Sequence, residues 1–419
     1  MKIQQLTIEN FRGIREMQLD FHPRLNVFAG KNGVGKTTIL DALSKTLNVA
    51  RLHHVTGNER QNLESKSIIP PNSIQLGAKQ ARIKLQLSCR GKTVSTSVSS
   101  APEKITSDLF THFPEAGIAL PCITFDENRT MMTGLYVPNE TVRNRIAETD
   151  PDIAEIISAA SRYGHYFAWI SSREALENNR LRRFIDKGKE FGKDHFERDH
   201  VLQLVKTTVE DITGFAGLFH DRELSEFTLR KNFGTEEDTL LFSQLSSGEQ
   251  HLVSFVVAIA AFLAYNFSKA ENPLAEEAVF LIDAFELHLH PSWQRELIPK
   301  LLHSFPGCQF IITTHSPQVL GNIKPESIFL LKREDDEIVC EQPDESYGMT
   351  MDRVLELVMD ETARPNTEIR ERIEQLFEHI SRKEFDKASD LIKALKQDIP
   401  TDPEVIRAEM LLHKKELSL

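Results

Sequence analysis

The sequence predicts an α/β protein, and three observations carry that prediction. Residues 24–29 form an apolar strand that runs through a glycine-rich turn into a segment with helical spacing. Strand-like runs at 278–282, 309–313 and 328–331 alternate with helical segments, the pattern of a layered α/β core. The final stretch instead carries two apolar stripes at helical spacing, Ile369, Ile373, Leu376, Phe377 and Ile380, then Phe385, Ala388, Leu391, Ile392 and Leu395.

The bulk properties agree with such a fold. With 419 residues and a prior of ~150 residues per domain, two or three domains are expected. Hydrophobic residues make up 40% and charged residues 27%, which supports a real core and excludes collagen, wholesale disorder and a small disulfide scaffold. Acids outnumber bases by 62 to 50, for a formal charge of −12, so a uniformly basic nucleic-acid coat is excluded. Cys89, Cys122, Cys308 and Cys340 are scattered without a C-x-x-C pair and read as reduced thiols. The start, Met1-Lys2-Ile3-Gln4, lacks a signal-peptide stretch. The most apolar run, 255–265, is shorter than the ~18 residues a membrane span needs and suits a buried helix. A soluble, cytoplasmic protein is expected.

The elements follow in order. Ile3, Leu6 and Ile8 open a first strand, and Ile39, Ala42, Leu43 and Leu47 give the helix after the glycine turn. Ile83, Leu85 and Leu87 alternate, and Arg90-Gly91-Lys92 turns that strand into a hairpin with the stretch from Thr93. Residues 122–125 read as a buried strand. From about 142 to 233 the chain is charge-rich and reads as a compact helical insertion, since no sustained heptad supports a coiled-coil arm. Asp402-Pro403-Glu404 starts a final helix with an N-cap, a proline and an acid. The expected division is 1–141, a helical insertion at 142–235, a second lobe at 236–345, and a helical, partner-binding extension at 346–419.

The chemistry sits in four motifs. Gly30, Lys31, Asn32, Gly33, Val34, Gly35, Lys36 and Thr37 fit G-x-x-x-x-G-K-[ST], after a strand and before a helix that continues with Thr38. The glycines let backbone N–H groups turn inward around phosphates, and the helix N-terminus adds to that field. Lys36 is expected at the β- and γ-phosphates and Thr37 on Mg²⁺. The second motif is Leu245-Ser246-Ser247-Gly248-Glu249-Gln250, before the apolar helix; alone, it also reads as a Ser-Gly turn that caps that helix. The third is the apolar strand Phe280-Leu281-Ile282 ending in Asp283, followed by Ala284-Phe285-Glu286-Leu287-His288-Leu289-His290-Pro291. The fourth is Thr313-Thr314-His315-Ser316-Pro317 at the end of the strand Phe310-Ile311-Ile312.

Four motifs in this order resemble an ATP-binding cassette (ABC-type) ATPase. The start, Ile8-Glu9-Asn10-Phe11-Arg12-Gly13-Ile14, is similar to the RecF, SMC and OLD branch rather than to a transporter subunit. The resemblance implies a P-loop α/β core with an antiparallel β part, and two heads that sandwich two ATP molecules. It implies that Ser246, Ser247 and Gly248, with Glu249 in the same turn, face the γ-phosphate bound by the opposite subunit. Asp283 would hold Mg²⁺ with Thr37, His315 would sense the γ-phosphate, and Arg12 would lie near the nucleotide.

One departure stands out. The branch usually carries Asp-Glu-Pro where this chain has Asp283-Ala284-Phe285. The missing Glu is the carboxylate that polarises the attacking water, and loss of a general base typically costs ~10²–10⁴ in rate. Two explanations fit: a natural ATP-binding switch, or an engineered substitution that traps the ATP-bound dimer. Binding should survive in both, with slow turnover. By the resemblance Glu286 is a poor substitute, because it falls in the loop that contacts the dimer partner.

Other signals have plainer readings. Glu286-x-His288-x-His290 looks like a metal cluster but falls in that same loop. His195 and His200 are five apart rather than the four of a helical zinc pair. Between 171 and 200, Arg173, Arg180, Arg182, Arg183, Lys187, Lys189, Lys193 and Arg198 are interleaved with seven acids. This reads first as a solvated helical surface, with 180–189 as a candidate for nucleic-acid phosphates.

Within the branch, an OLD nuclease domain of ~200 residues and long SMC arms are both missing from the pattern, so no nuclease activity is expected of this chain itself. The overall resemblance is to the ATPase of Septu anti-phage systems, PtuA, including the kind attached to some retrons. It rests on the Asn-Phe-Arg-Gly start, the short insertion, Thr313-Thr314-His315-Ser316-Pro317-Gln318, Ser346-Tyr347-Gly348 and the terminal helices. It implies an HNH endonuclease partner and, in retrons, a reverse transcriptase with RNA–DNA. The C-terminal stripes would either dock the nuclease or pack on their own head. The alternative reading is a RecF-like DNA-repair ATPase that binds DNA without a nuclease.

Overall fold

The computed structural model of the chain describes residues 1–52, 69–89, 91–100, 106–107, 122–125, 131–132, 164–189, 195–233, 236–335, 337–362, 364 and 366–416. The chain divides into two compact units, Met1–Met349 and Thr350–Leu419.

The first unit is built on a seven-stranded sheet. Its strands are β3 (Leu25–Ala29), β7 (Cys122–Phe125), β8 (Met131–Met132), β12 (Val279–Ile282), β13 (Gln309–Thr314), β14 (Ile328–Glu334) and β15 (Glu337–Glu341). The order is β15-β14-β3-β13-β12-β7-β8, with β14, β3, β13, β12 and β7 parallel and an antiparallel strand at each edge. Every residue of β3, β12 and β13 is buried, which is why these strands read as unbroken apolar runs rather than alternating ones.

Period two sorts their side chains between two covers. Val279, Leu281 and Ile311 join one core with Ile39, Leu40, Leu43 and Leu47 of α1 (Lys36–Leu52). That core continues into an antiparallel sheet, β2-β1-β4-β5-β6. Its strands are β1 (Lys2–Phe11), β2 (Ile14–Asp20), β4 (Arg82–Cys89), β5 (Lys92–Ser99) and β6 (Thr106–Ser107), and Ile83, Leu85 and Leu87 point inward as their alternation predicts. On the opposite face Phe280 stacks on Phe310 at 5.4 Å and meets Phe262 edge-on at 5.9 Å.

Phe262 belongs to the apolar helix Ser247–Asn266, which is buried without interruption from Leu252 to Ala264. Among the described residues it is the one helix long and apolar enough to cross a membrane, yet 72% of that window lies inside the fold. A helix apolar on all sides is a core helix here. Cys308 is also buried, and burial pushes its thiol up to about 12.

The insertion departs from the helical expectation. Its described part holds α2 (Gly164–Asp186) and α3 (His200–Thr213), but it then forms β9 (Phe215–Asp221) and β10 (Glu226–Phe233). These pair with β11 (Glu236–Leu241) in a three-stranded antiparallel sheet, so the sheet crosses the boundary expected at 235. The reason is local. Gly214, at φ 77, ends α3, and Phe227 and Leu229 are buried in alternation. Asp221 Oδ1 then accepts from the N–H groups of Glu223 and Leu224, and Ser225 takes φ 50, which closes the hairpin. The expected start of the insertion, at 142, lies outside the described residues.

Among its described residues the second unit contains a short helical stretch, Met351–Arg353 continuing as Val354–Val358, and three longer helices, Thr367–Ser381, Phe385–Asp398 and Pro403–Glu416. The two predicted stripes pack on each other and on the third helix. Ile373, Leu376 and Ile380 share one core with Ala388, Ile392, Leu395, Val405, Ala408 and Leu412. Asn366 caps the first helix through Ile369 N, and Asp402 Oδ1 caps the last through Glu404 N and Val405 N.

Candidate nucleotide-binding site

Parallel pairing of β3, β13 and β12 places three motifs at one edge of the sheet. Ala29 lies beside Thr314, and Ile282 beside Ile312, so residues 30–37, 283 and 313–315 all lie at or just beyond the carboxyl ends of adjacent strands. This is where α/β sheets bind ligands.

The glycine turn needs its glycines. Gly30 has φ +143, and a Cβ there would lie 2.3 Å from Leu331 O. Gly33 and Gly35 also take positive φ, at +81 and +96. Val34 anchors the turn in the core, whereas Lys31, Asn32 and Gly33 are exposed. α1 begins at Lys36 and is followed by Thr37 and the half-buried Thr38.

Lys36 is only 7% exposed. Its Nζ donates to Gly30 O and Lys31 O, both at 2.8 Å, and lies 3.5 Å from His315 Nδ1. Burial lowers its pKa to about 8, although Glu286 and Asp283 partly oppose that shift. Thr37 Oγ1 donates to Asp283 Oδ2 at 2.9 Å, and Thr313 Oγ1 donates to Asp283 Oδ1. A hydroxyl and a carboxylate in contact, with no thiol beside them, form a donor pair suited to a hard divalent cation.

Ala284 takes φ 48 and donates its N–H to Thr313 Oγ1 at 2.8 Å. Glu286 is turned toward the next strand: its oxygens accept from Thr314 Oγ1 and from His315 N, each at 2.8 Å. His290 Nδ1 accepts from Ser292 N and so caps the helix Pro291–Ser304. The His288 ring lies 4.3 Å from that of His251. Both histidines of the apparent metal cluster are therefore engaged in packing and capping.

Ser246 is the N-cap of the apolar helix, and Glu249 completes a capping box with it. The capping reading of this turn thus holds, and Ser247 remains exposed beside it. Lys231 of β10 donates to Glu249 Oε1 at 2.6 Å. Burial alone would raise the Glu249 carboxyl, but the bonds from Lys231 and Ser246 hold it below the usual carboxylate range. Gly248 is required by contact, since a Cβ there would sit 2.8 Å from His288 O.

Arg12, at φ 51, pairs with Asp41 on α1 at 2.7 Å, one helical turn beyond Thr37. In the basic stretch, Arg173 and Arg180 are 2.8 and 3.6 Å from Asp199, the N-cap of α3. His195 is described outside the helices, whereas His200 begins α3. Sequence reasoning missed Thr313 as a partner of Asp283 and Lys231 as the anchor of Glu249. The first was visible as a polar end on an apolar strand; the second had no local signal.

This end of the sheet, with its glycine turn, its Asp283-ended strand and the histidine after the adjacent strand, fits an ATPase head of the ABC type. The "AAA ATPase domain" family matches residues 1–104, and "AAA domain, putative AbiEii toxin, Type IV TA system" matches 143–321. Along most of its length the chain is similar to probable ATPases of retrons and to Septu proteins. It is 26% identical to "Retron Ec83 probable ATPase" of Escherichia coli over 79% of this chain and 72% of the relative. It is 24% identical to "Septu protein PtuA" of Bacillus thuringiensis over 87% of this chain and 86% of the relative. A solved SMC head domain from Thermotoga maritima aligns at 14% identity, TM-score 0.42, covering 82% of this chain and 99% of that one.

Proposed function

We propose that this chain is the ATP-binding, regulatory ATPase subunit of a cytoplasmic anti-phage defence system of Septu or retron type. The observation that carries the reading is the cluster of Lys36, Thr37, Asp283 and His315 at one sheet edge, in a chain similar to Septu and retron ATPases.

In this reading the backbone of residues 30–35 cradles the phosphates, with Lys31, Asn32 and Val34 shaping the turn. The Lys36 ammonium leaves Gly30 O and Lys31 O for the β- and γ-oxygens. Thr37 and Asp283 would hold Mg²⁺, which supplies charge neutralisation at those oxygens when bound. His315, beside Lys36, senses the γ-phosphate. Ser246, Ser247 and Gly248 meet the γ-phosphate held by a second copy, so that ATP closes two heads. That closure positions or restrains a separate HNH endonuclease, and in a retron also a reverse transcriptase with its RNA–DNA.

Ala284 stands where the base would be, and a methyl group accepts no proton. Turnover is therefore slow, and ATP acts as a latch. Purification of the complex from its native operon, with mass analysis of protein and nucleic acid, tests the reading. An HNH nuclease supports it, and a reverse transcriptase with branched RNA–DNA specifies the retron type. Bare DNA with no nuclease overturns it in favour of a RecF-like repair ATPase.

A further inference from the structure

The loop after Asp283 touches two functional elements at once. On one side the His288 ring lies against that of His251, 4.3 Å away and tilted by 31°, and its carbonyl oxygen lies 2.8 Å from where a Cβ of Gly248 would be. The loop is thus packed on the first turns of the signature helix. On the other side Glu286 grips the end of β13, accepting from Thr314 Oγ1 and from the His315 backbone N–H, each at 2.8 Å.

The grip is a closed ring of bonds. Thr314 Oγ1 accepts from Ser316 N at 3.0 Å, Ser316 Oγ donates to Gln294 Oε1 at 2.7 Å, and Gln294 Nε2 returns to Leu289 O at 2.9 Å. Hydrogen bonds to a carboxylate are among the stronger ones, and ring closure resists loss of any single member. Glu286 cannot swing toward the phosphates without releasing both donors. Its role is to hold a neighbour.

We propose that Glu286 is a positioning residue: it fixes His315 against Lys36 and links that histidine to the loop that packs on the signature helix. A shift of the signature turn on meeting a second head is then passed through His288 and Glu286 to the γ-phosphate end of the head's own site. The inference rests on the reading of His315 as a γ-phosphate sensor.

Equilibrium titration of the full chain with MgATP and with MgADP tests it, using Glu286→Ala, Thr314→Val, Thr314→Ser and His315→Ala. Glu286→Ala is expected to lose about tenfold in MgATP affinity, the scale of one charge-assisted bond, with MgADP affinity held within about twofold. Thr314→Val should lose part of that preference, and Thr314→Ser should restore it. Equal losses for both nucleotides, or no loss, in Glu286→Ala while His315→Ala selectively loses MgATP would overturn the positioning role alone. If His315→Ala shows no selective loss, the sensor reading fails and takes this inference with it. Should Glu286→Ala not fold, the Thr314 pair carries the same test, and indistinguishable Val and Ser variants would refute the tether.

Discussion

The phosphate pocket and the signature turn are both motifs on helix N-termini, but they are built in opposite ways. In the pocket, Lys36 is nearly buried and Asp283 is 6% exposed, and both already bond to groups that a nucleotide would displace or share. At the signature turn Ser246 and Ser247 face solvent, and their order comes from a capping box braced by Lys231. One site is assembled from three strands of one chain, and the other is an exposed turn ordered by its own cap. In the proposed function, the first holds nucleotide within one chain and the second reads it in a second copy.

The largest expected effect breaks the pocket's one silence. Ala284→Glu should raise ATP turnover by ~10²–10⁴, the usual contribution of a positioned general base, measured as phosphate release. Unchanged turnover would mean that the water is held elsewhere. Next, Lys36→Ala should weaken MgATP binding on the order of a hundredfold, because a phosphate-facing ammonium is lost. Calorimetry would show it, and intact binding would remove this site from the account.

The comparison is sharpened at the other end. Ser246→Ala removes an N-cap and should cost about 1 kcal/mol of stability, read as a lower denaturant midpoint, together with weaker ATP-dependent pairing. The smallest effect concerns pH. The Glu249 carboxyl is held below its ordinary 4.5, so its contribution is present above that value and fades as pH falls through the lower folded value. Glu249→Gln should therefore flatten part of the fall in thermal midpoint on acidification; identical profiles would show that Lys231 does not brace the turn.

The pocket was legible in the sequence for a physical reason. Its chemistry is local, since a glycine turn, an apolar strand ending in Asp283 and another ending in Thr313-Thr314-His315 each state their role within a few residues. The buried parallel strands likewise announce themselves as apolar runs. What could not be read depended on distant partners. Lys231 reaches Glu249 from a strand to a helix, and Glu286 finds Thr314 and His315 only once β12 and β13 are paired. The strands at 215–233 were hidden because Phe219 is exposed and His220 buried, which blurs the alternation that Phe227 and Leu229 keep. The C-terminal stripes were seen, but their partners proved to be each other.

The central claim is that ATP joins two heads while turnover is slow. Light scattering on the purified chain with Mg²⁺ and either ATP, ADP or no nucleotide tests it most directly. The account predicts that ATP alone adds a second copy to each unpaired head, raising a single-chain mass of 47.7 kDa to twice that value, and that Lys36→Ala and Ser246→Ala weaken the gain. The same mass in all three conditions, with ATP shown to be bound, would contradict it.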